Sequence, residues 1–274
     1  MTKSILKTSK NPITLQCTCK SRSDLSEFMR LLNLLSYYGF YGIELNLPDL
    51  DILPFRDLSS MLHSYGLTLT YLATGAYAMS HNLSLSCADP VIRRKSIEGC
   101  MDNIRYAAEF RCGIIIGYLK NNPQTDLWEP SLYLEDSLAR LDEFAQQHQV
   151  PILLEATNRY ESRVANSLEE TMKILSRVNG PMLSLLPDTY HMNIEENRPL
   201  EMLSVYQSSF RNLHLSDNNR HYPGLGCISF ENYLKKLRDI HYQGTLGIEG
   251  IIKNDPEKDL ELCVNYLSRL DDLQ

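Results

Sequence analysis

Short apolar runs alternate with longer amphipathic stretches along the chain. The short runs are rich in Ile, Leu, Val and Thr and are bounded by Gly, Pro, Asn or Asp, which is typical of buried strands. They predict eight strands, at Ile13–Cys19, Tyr41–Leu47, Leu67–Thr74, Gly113–Leu119, Pro151–Thr157, Met182–Asp188, Arg211–Asp217 and Thr245–Gly250. In the longer stretches apolar residues recur every three or four positions, which predicts helices. The clearest helices are Asp24–Tyr38, Asp89 to about Arg111, Leu132–Gln147, Ser167–Val178, Ser229–Ile240 and Asp255–Leu270.

The spacing of these elements predicts the architecture. The 274 residues allow about 34 residues for each of eight strand–helix units, and a βαβ crossover needs roughly 30 or more. Eight units can close into a barrel or spread as an open doubly wound sheet. No GxGxxG follows the first strand, which weakens the dinucleotide-binding form of the open sheet. We therefore predict an α/β fold with a single (β/α)8 TIM barrel domain over residues 1–274.

Two helix starts carry capping signals. Ser167 followed by Glu170 matches a capping box, and Ser229 with Asn232 is a weaker form of the same motif.

Charge and composition exclude several classes of protein. With 27 basic and 34 acidic residues the net charge is −7, which argues against a general nucleic-acid binder. The 43% of hydrophobic residues is too high for a disordered chain, yet no apolar run approaches the roughly 20 residues that cross a bilayer. We expect neither a nucleic-acid nor a membrane partner.

The cysteines and the first residues bear on localisation. Seven cysteines is an odd number, and Cys17 and Cys19 share one face of a strand without the CxxC spacing of a redox or zinc pair. We interpret them as buried reduced thiols. Lys3, Lys7 and Lys10 are not followed by the apolar segment of a secretory signal. These features predict a reduced, cytoplasmic protein.

Candidate chemistry collects at the ends of the last four strands. In a barrel of this type the active site lies at the carboxyl ends of the strands. The first four strands end in Cys19, Asn46 or Leu47, Gly75 and Tyr118, none of which is a strong metal ligand, whereas the last four end in or near Glu155, Asp188, His214 and Glu249. One such residue could be a paired structural charge, but four converging residues predict a shared cation, because burying each one alone is costly.

The type of ligand suggests the ion. Three carboxylates and one imidazole form an oxygen-rich set that suits manganese, magnesium or cobalt, whereas catalytic zinc usually has more nitrogen or sulfur ligands. We predict one divalent metal ion, with manganese preferred and magnesium, cobalt or zinc as alternatives. The ligand charge of −3 exceeds that of the ion, so a carboxylate oxygen could accept a proton.

Longer segments around these residues resemble a known family. They are Glu155–Glu161 (EATNRYE), Asp188–Glu196 (DTYHMNIEE), His214–Arg220 (HLSDNNR) and Pro223–Gly226 (PGLG). They resemble the sugar isomerase/epimerase branch of the xylose isomerase-like TIM barrels, and most closely the ketose 3-epimerases related to D-tagatose 3-epimerase. The resemblance covers about Val150 to Ile252; before that only the strand–helix rhythm agrees.

The resemblance implies a role for each matched residue. Glu155, Asp188, His214 and Glu249 would bind the metal, and Glu155 and Glu249 would also be the catalytic acid/base pair on opposite faces of the sugar. Substrate oxygens would be contacted by Glu161, His191 and Arg220; without the resemblance Glu161 and Arg220 look like surface charges. The family also implies a homodimer or homotetramer.

The function that follows is a metal-dependent ketose epimerase acting on a small-molecule sugar, at the third carbon. A proton is removed and returned through a metal-stabilised enediolate. The alternatives within the family are an aldose–ketose isomerase and a 4-epimerase of a modified sugar. An apurinic-site endonuclease-like enzyme is disfavoured because the ends of strands three and four lack histidine, and a non-catalytic sugar-binding barrel because two opposed carboxylates serve no purpose in a binder.

Both free and phosphorylated sugars are candidate substrates, and one loop bears on the choice between them. Gly224-Leu225-Gly226 precedes the helix at Ser229 and could cradle a phosphate at a helix N-terminus. It could equally be a tight loop at the rim of the pocket, which is the interpretation we favour.

Overall fold

Eight parallel strands form one continuous sheet that curls into a barrel, as predicted. The structure is a computed structural model that describes residue 6 and residues 10–121 and 130–271, so Lys3 and Lys7 lie outside the described residues. The strands are β1 (Ile13–Thr18), β2 (Gly42–Asn46), β3 (Thr68–Ala73), β4 (Gly113–Ile116), β5 (Ile152–Glu155), β6 (Leu183–Leu186), β7 (Asn212–Leu215) and β8 (Thr245–Ile248). Each falls inside its predicted segment and is shorter than it.

Helices surround the sheet in the described part of the chain. They are α1 (Leu25–Tyr38), α2 (Phe55–Tyr65), α3 (Gly75–His81), α4 (Pro90–Phe110), α5 (Pro130–His148), α6 (Leu168–Val178), α7 (Thr189–Glu195), α8 (Pro199–Val205), α9 (Phe230–Asp239) and α10 (Pro256–Asp271). The sequence analysis did not place α2, α3, α7 or α8. Three of these have only seven residues, too few to repeat an apolar period more than once.

The strands bury both faces, which is why they appear in the sequence as nearly continuous apolar runs. Ala73, Ile115, Leu153 and Leu186 pack together as a small cluster separate from the main core. These residues come from β3 to β6, so the cluster fills the inside of the barrel. The much larger core lies between the outer faces of the strands and the helices. Side chains two positions beyond the inner cluster therefore point into the mouth of the barrel.

The barrel closes between β6 and β7, where the pairing is irregular. The strand order is β6-β5-β4-β3-β2-β1-β8-β7, and the two end strands meet through isolated bridges at Leu185–Phe210 and Asp188–His214. The amide of His214 donates to the carbonyl of Pro187 at 2.9 Å. Pro187 has no N–H and cannot donate to β7 itself, so one hydrogen bond of the parallel ladder is missing here. We call this contact the β6–β7 seam.

The described cysteines are free, and Cys17 and Cys19 are both buried. Burial raises the pKa of the Cys17 thiol, and the neighbouring Cys19 and Glu44 raise it further. These side chains are therefore apolar core thiols without thiolate character.

One of the two predicted helix caps is present. Ser167 accepts a hydrogen bond from the amide of Glu170 at 3.1 Å, and Glu170 in turn accepts one from the amide of Asn166. The side chain of Ser229 makes no capping hydrogen bond, so the weaker prediction was wrong. Ser229 has φ −78° and ψ 88°, unlike the extended geometry of Ser167 at −90° and 162°.

These two serines make a matched test of local stability. We expect Ser167→Ala to lower the free energy of unfolding by roughly 1 kcal/mol, because an amide in the first turn of α6 loses its partner. Ser229→Ala should leave it within about 0.5 kcal/mol of the parent, as for an ordinary surface substitution. Denaturant unfolding followed by circular dichroism measures both, and equal effects would contradict the capping assignment.

Candidate active site

Four side chains meet at the mouth of the barrel. Glu155, Asp188, His214 and Glu249 each offer one ligand atom, and these atoms all lie within 4.8 Å of one another. Each residue lies two positions beyond an inward-facing residue of the same strand, for example Glu155 after Leu153. The two-residue period of the strands therefore directs all four into the same space, as the sequence analysis predicted.

Several of the facing atoms lack a hydrogen bond within the protein. Glu155 Oε1, His214 Nδ1 and Glu249 Oε2 are buried and have no properly directed partner. His214 Nδ1 lies 2.7 Å from Glu249 Oε2, 3.5 Å from Glu155 Oε1 and 3.7 Å from Asp188 Oδ2. Buried polar atoms without partners are costly, and these converge on one point. The donor set therefore fits a divalent cation held by oxygen and imidazole nitrogen.

The carboxylates are partly neutralised by Arg220. Its Nη1 lies 2.6 Å from Asp188 Oδ2 and its Nη2 lies 2.6 Å from Glu249 Oε1. Burial raises the pKa of Glu249, but Arg220 and His214 outweigh this and hold the pKa below its usual range. Burial likewise lowers the pKa of His214, but the carboxylates of Glu44 and Glu249 outweigh it and raise the pKa. Arg220, whose side chain is 17% exposed, therefore lines the site and is paired with its carboxylates.

Asp188 serves the site and the fold together. Its Oδ1 accepts hydrogen bonds from the amides of Tyr190 at 2.7 Å and His191 at 3.4 Å, so it caps α7. This contact turns Oδ2 towards Arg220 and His214. The short helix α7 in turn carries His191 to the pocket.

His191 and Glu161 line the same pocket through a shared partner. Asn158 is fully buried, and its Nδ2 lies 2.8 Å from His191 Nδ1 and 3.1 Å from Glu161 Oε1. Because the amide nitrogen of Asn158 is a donor, His191 Nδ1 accepts this hydrogen bond. The ring proton of His191 is therefore assigned to Nε2. That nitrogen lies 3.7 Å from Glu155 Oε1. The sequence analysis named Glu161 and His191 but gave Asn158 no role.

The pocket above the four residues has a volume of about 150 Å³. Glu155, Glu249, Glu161, His191 and Arg220 line it on one side. The other side is lined by residues of β1 and β2 and of the segments that follow β3 and β4, including Gln16, Asn46, Thr74, Met79, Tyr118 and Asn121. The buried hydroxyl of Thr157 also faces it without a hydrogen-bond partner. Among the described residues that line it, no histidine comes from β3, β4 or the segments that follow them. The pocket can therefore hold a small polyhydroxylated molecule next to the carboxylates.

Glu44 is a member of the site that the sequence analysis missed. It lies within β2 and is fully buried, and its Oε2 is 2.7 Å from His214 Nε2. Its Oε1 accepts from Thr14 at 3.0 Å and from Asn212 at 2.8 Å. The bond to Nε2 leaves Nδ1 of His214 to face the other ligands, which is the usual arrangement of a carboxylate, a histidine and a metal. The signal was available, since Glu44 interrupts the aliphatic run Gly42–Asn46.

Two glycines make room for these carboxylates. A Cβ at Gly117 would collide with Glu155 Oε2, and a Cβ at Gly247 would collide with Glu44 Oε1. Both glycines lie on strands or strand ends that face the barrel interior. Any larger residue would displace a carboxylate from the site.

The loop at Gly224 to Gly226 does not present free amides. Asp217 Oδ2 accepts hydrogen bonds from Gly224 at 3.1 Å and Gly226 at 2.8 Å, and its Oδ1 accepts one from Ile228 at 2.9 Å. An internal carboxylate therefore occupies the place that a phosphate would take. These bonds argue against a phosphate cradle; residues 224–226 are not among the described residues that line the pocket, so a role at its rim stays a prediction.

The fold and this site define a family. The family profile described as a xylose isomerase-like TIM barrel matches residues 32–269, and the chain belongs to that family. Within the described residues, no helix is both long enough and apolar enough to cross a membrane.

Individual relatives are similar over most of their length. The L-ribulose 3-epimerase of Methylomonas sp. (strain DH-1) is 30% identical over 235 residues, which cover 82% of this chain and 80% of that protein. The ketose 3-epimerase of Arthrobacter globiformis is 26% identical over 226 residues, covering 81% and 77%. Among solved structures, the 3-keto-D-glucoside 4-epimerase of E. coli has a TM-score of 0.80 at 21% identity, covering 96% of this chain and 99% of that one. This last likeness concerns the fold.

The contact between Glu44 and His214 can be tested by metal binding. We expect Glu44→Gln to weaken Mn²⁺ binding by about 10–100-fold, because the amide cannot support His214 as a charged carboxylate does. Isothermal titration of the metal-free protein measures the change. The matched control is Asp142→Asn, another buried carboxylate, which accepts from the amide of Met182 at the opposite end of the barrel. Equal Mn²⁺ affinity in the parent and Glu44→Gln would contradict the role of Glu44.

Proposed function

We propose that the protein is a metal-dependent ketose 3-epimerase, a carbohydrate isomerase that inverts the third carbon of a free ketose. The observation that carries this proposal is the approach of Glu155 and Glu249 to one ligand cluster from different sides of the barrel mouth. Glu155 ends β5 and Glu249 follows β8, with β6 and β7 between them on the shorter path around the barrel. The 3-epimerase names of the relatives support the same activity.

The metal would be held by Glu155, Asp188, His214 and Glu249. When bound, a divalent ion would polarise the substrate carbonyl and stabilise the negative charge that develops on its oxygen. The oxygen-rich ligand set favours manganese, and magnesium, cobalt and zinc are the alternatives for a metal titration.

The two glutamates supply the acid/base chemistry. A hydrogen on a carbon next to a carbonyl is weakly acidic, so a carboxylate in contact with that hydrogen can remove it as a proton. General acid–base catalysis of this kind accelerates a reaction by about 10²–10⁴-fold. If one glutamate takes the proton from one face and the other returns a proton to the opposite face, the stereocentre inverts. Arg220 and His214 lower the pKa of Glu249 against the effect of burial, and so favour the ionised form, which is the form that can accept a proton.

The remaining residues would orient the sugar. His191 presents its Nε2 proton to the pocket because Asn158 occupies the other ring nitrogen. Glu161 and Arg220 offer an acceptor and donors for hydroxyl groups at the same side. A substrate with a carbonyl and adjacent hydroxyls could satisfy all three residues at once.

The charge of the pocket favours an unphosphorylated substrate. Among the described residues that line it, Arg220 is the one cation, and it is already paired with Asp188 and Glu249. The amides of the Gly224 loop are bound to Asp217. A phosphate would therefore meet net negative charge.

Two broader expectations accompany the enzyme. The buried free thiols suit a reducing compartment, which favours the cytoplasm. A homodimer or homotetramer stays a prediction that sedimentation can test.

Isotope exchange tests the activity directly. We expect the protein loaded with Mn²⁺ to incorporate solvent deuterium at the third carbon of an unphosphorylated ketose, as read by NMR in D₂O. Phosphorylated ketoses serve as the comparison. Exchange at the first carbon with an aldose product would indicate an aldose–ketose isomerase, and inversion at the fourth carbon a 4-epimerase. No exchange with any ketose under any metal would contradict the proposal.

The acid/base pair can be tested by isosteric substitution. We expect Glu155→Gln and Glu249→Gln each to lower turnover by at least about 10²-fold, because a neutral amide cannot accept the proton. Bound metal is measured in parallel, since both residues are also candidate ligands. Glu169→Gln, which removes a carboxylate from a surface pair with Lys173, is the control and should keep full activity. Near-parent turnover in either site variant would rule out the two-base mechanism.

The role of Arg220 can be tested separately from metal binding. We expect Arg220→Ala to raise KM or lower kcat by about 10–100-fold, the value of a hydrogen bond to a charged group, while Mn²⁺ stays bound. Arg198→Ala removes an exposed arginine paired with Glu201 and should change neither constant. Unchanged kinetics in Arg220→Ala would remove that residue from the site.

A further inference from the structure

A fully buried lysine lies behind the candidate site and has no part in the chemistry described so far. Lys120 closes the short 3-10 helix Tyr118–Lys120 after β4, and its side chain has no exposed surface. Burial lowers the pKa of Lys120 to about 7, against the opposing effect of Glu155, Glu170 and Glu161. Holding an ammonium group in this place is costly, so its contacts must offset that cost.

The contacts of Lys120 are two main-chain carbonyls. Its Nζ donates to the carbonyl oxygen of Glu155 at 2.6 Å and to that of Ala165 at 2.9 Å. Glu155 ends β5, and its carbonyl lies beyond the ladder with β4, whose last paired residue is Ile116 opposite Leu154. The lysine therefore replaces the strand partner that β4 no longer provides.

The carbonyls of Glu155 and Ala165 lie at the two ends of one loop. Residues 156–167, which we call the β5–α6 loop, leave the sheet after Glu155 and return at Ala165 before α6 begins. Ala165 has φ +56°, a left-handed conformation that is uncommon for alanine. The loop carries Asn158 and Glu161, which line the pocket or orient His191.

The next residue adds a second tie to the same loop. Asn121 Oδ1 accepts a hydrogen bond from the amide of Arg163 at 2.8 Å and lies 3.4 Å from Ser162 Oγ. Lys120 and Asn121 thus hold the base and the returning arm of the loop from one short segment.

We infer that Lys120 is a positioning residue that clamps the β5–α6 loop, and through it sets the places of Glu155 and Glu161 for the reaction. The catalytic part of this inference rests on the proposed function. A shift of about 1 Å in a catalytic group can cost on the order of 10²-fold in rate, so a clamp at the carbonyl of Glu155 bears directly on turnover.

The test combines hydrogen exchange with kinetics on the whole 274-residue chain. Lys120→Met keeps most of the length of the side chain and removes its donors and charge, whereas Lys120→Arg keeps the donors and the charge. In Lys120→Met we expect amides of residues 156–167 to exchange at least about tenfold faster, and kcat to fall at least about tenfold at saturating Mn²⁺. Lys120→Arg should restore part of both. Asp142→Asn, at the far end of the barrel, is the control for general destabilisation and should change neither.

Each outcome decides the matter at a temperature where the variants are folded. Parent-like exchange in the loop of Lys120→Met, or a loosened loop with unchanged kcat and KM, would overturn the inference. If Lys120→Met does not fold, Lys120→Gln, which removes the charge and shortens the side chain, is measured instead, and parent-like loop exchange in that variant overturns the inference equally. Should the parent protein epimerise no ketose, the proposed function fails, while the exchange data still test the clamp.

Discussion

The site depends on the crowding of negative charge around one buried imidazole. Glu155, Asp188 and Glu249 each reach within 3.7 Å of His214 Nδ1, and Glu44 holds the other ring nitrogen. Carboxylates this close repel one another unless positive charge lies between them. Arg220 supplies part of that charge from the open side, and a divalent ion would supply the rest. The glycines at the mouth, Gly117 and Gly247, leave the space that the carboxylates of Glu155 and Glu44 occupy.

Much of the arrangement could be predicted from the sequence because it follows from local periodicity. The strand rhythm indicated a barrel, and in a barrel the residue at the end of each strand points into the mouth. That reasoning placed Glu155, Asp188, His214 and Glu249 together without knowledge of any contact. Glu161 and Arg220 needed the resemblance to a family, because a charged residue in a polar loop looks the same whether it faces solvent or a pocket.

The supporting residues could not be predicted in the same way. Glu44 meets His214 across 170 positions of the chain, and Lys120 meets the carbonyl of Glu155 across 35. The role of Glu44 depends on which strands become neighbours in the barrel, and the role of Lys120 depends on where β4 ends. The identity of the residue alone reveals neither of these facts. A charged residue within or just after an aliphatic strand was the available warning in both cases.

The β6–β7 seam joins the fold to the chemistry. The barrel closes there through isolated bridges, and one of them pairs Asp188 with His214, two of the four candidate ligands. An ion bound by both residues would link β6 and β7, the two end strands of the sheet, and so stabilise the closed barrel. Metal binding and folding are then thermodynamically linked, because an ion that binds only the closed barrel stabilises the closed barrel. In such a protein the scarcity of metal in a cell would limit the amount of intact barrel as well as its catalytic output.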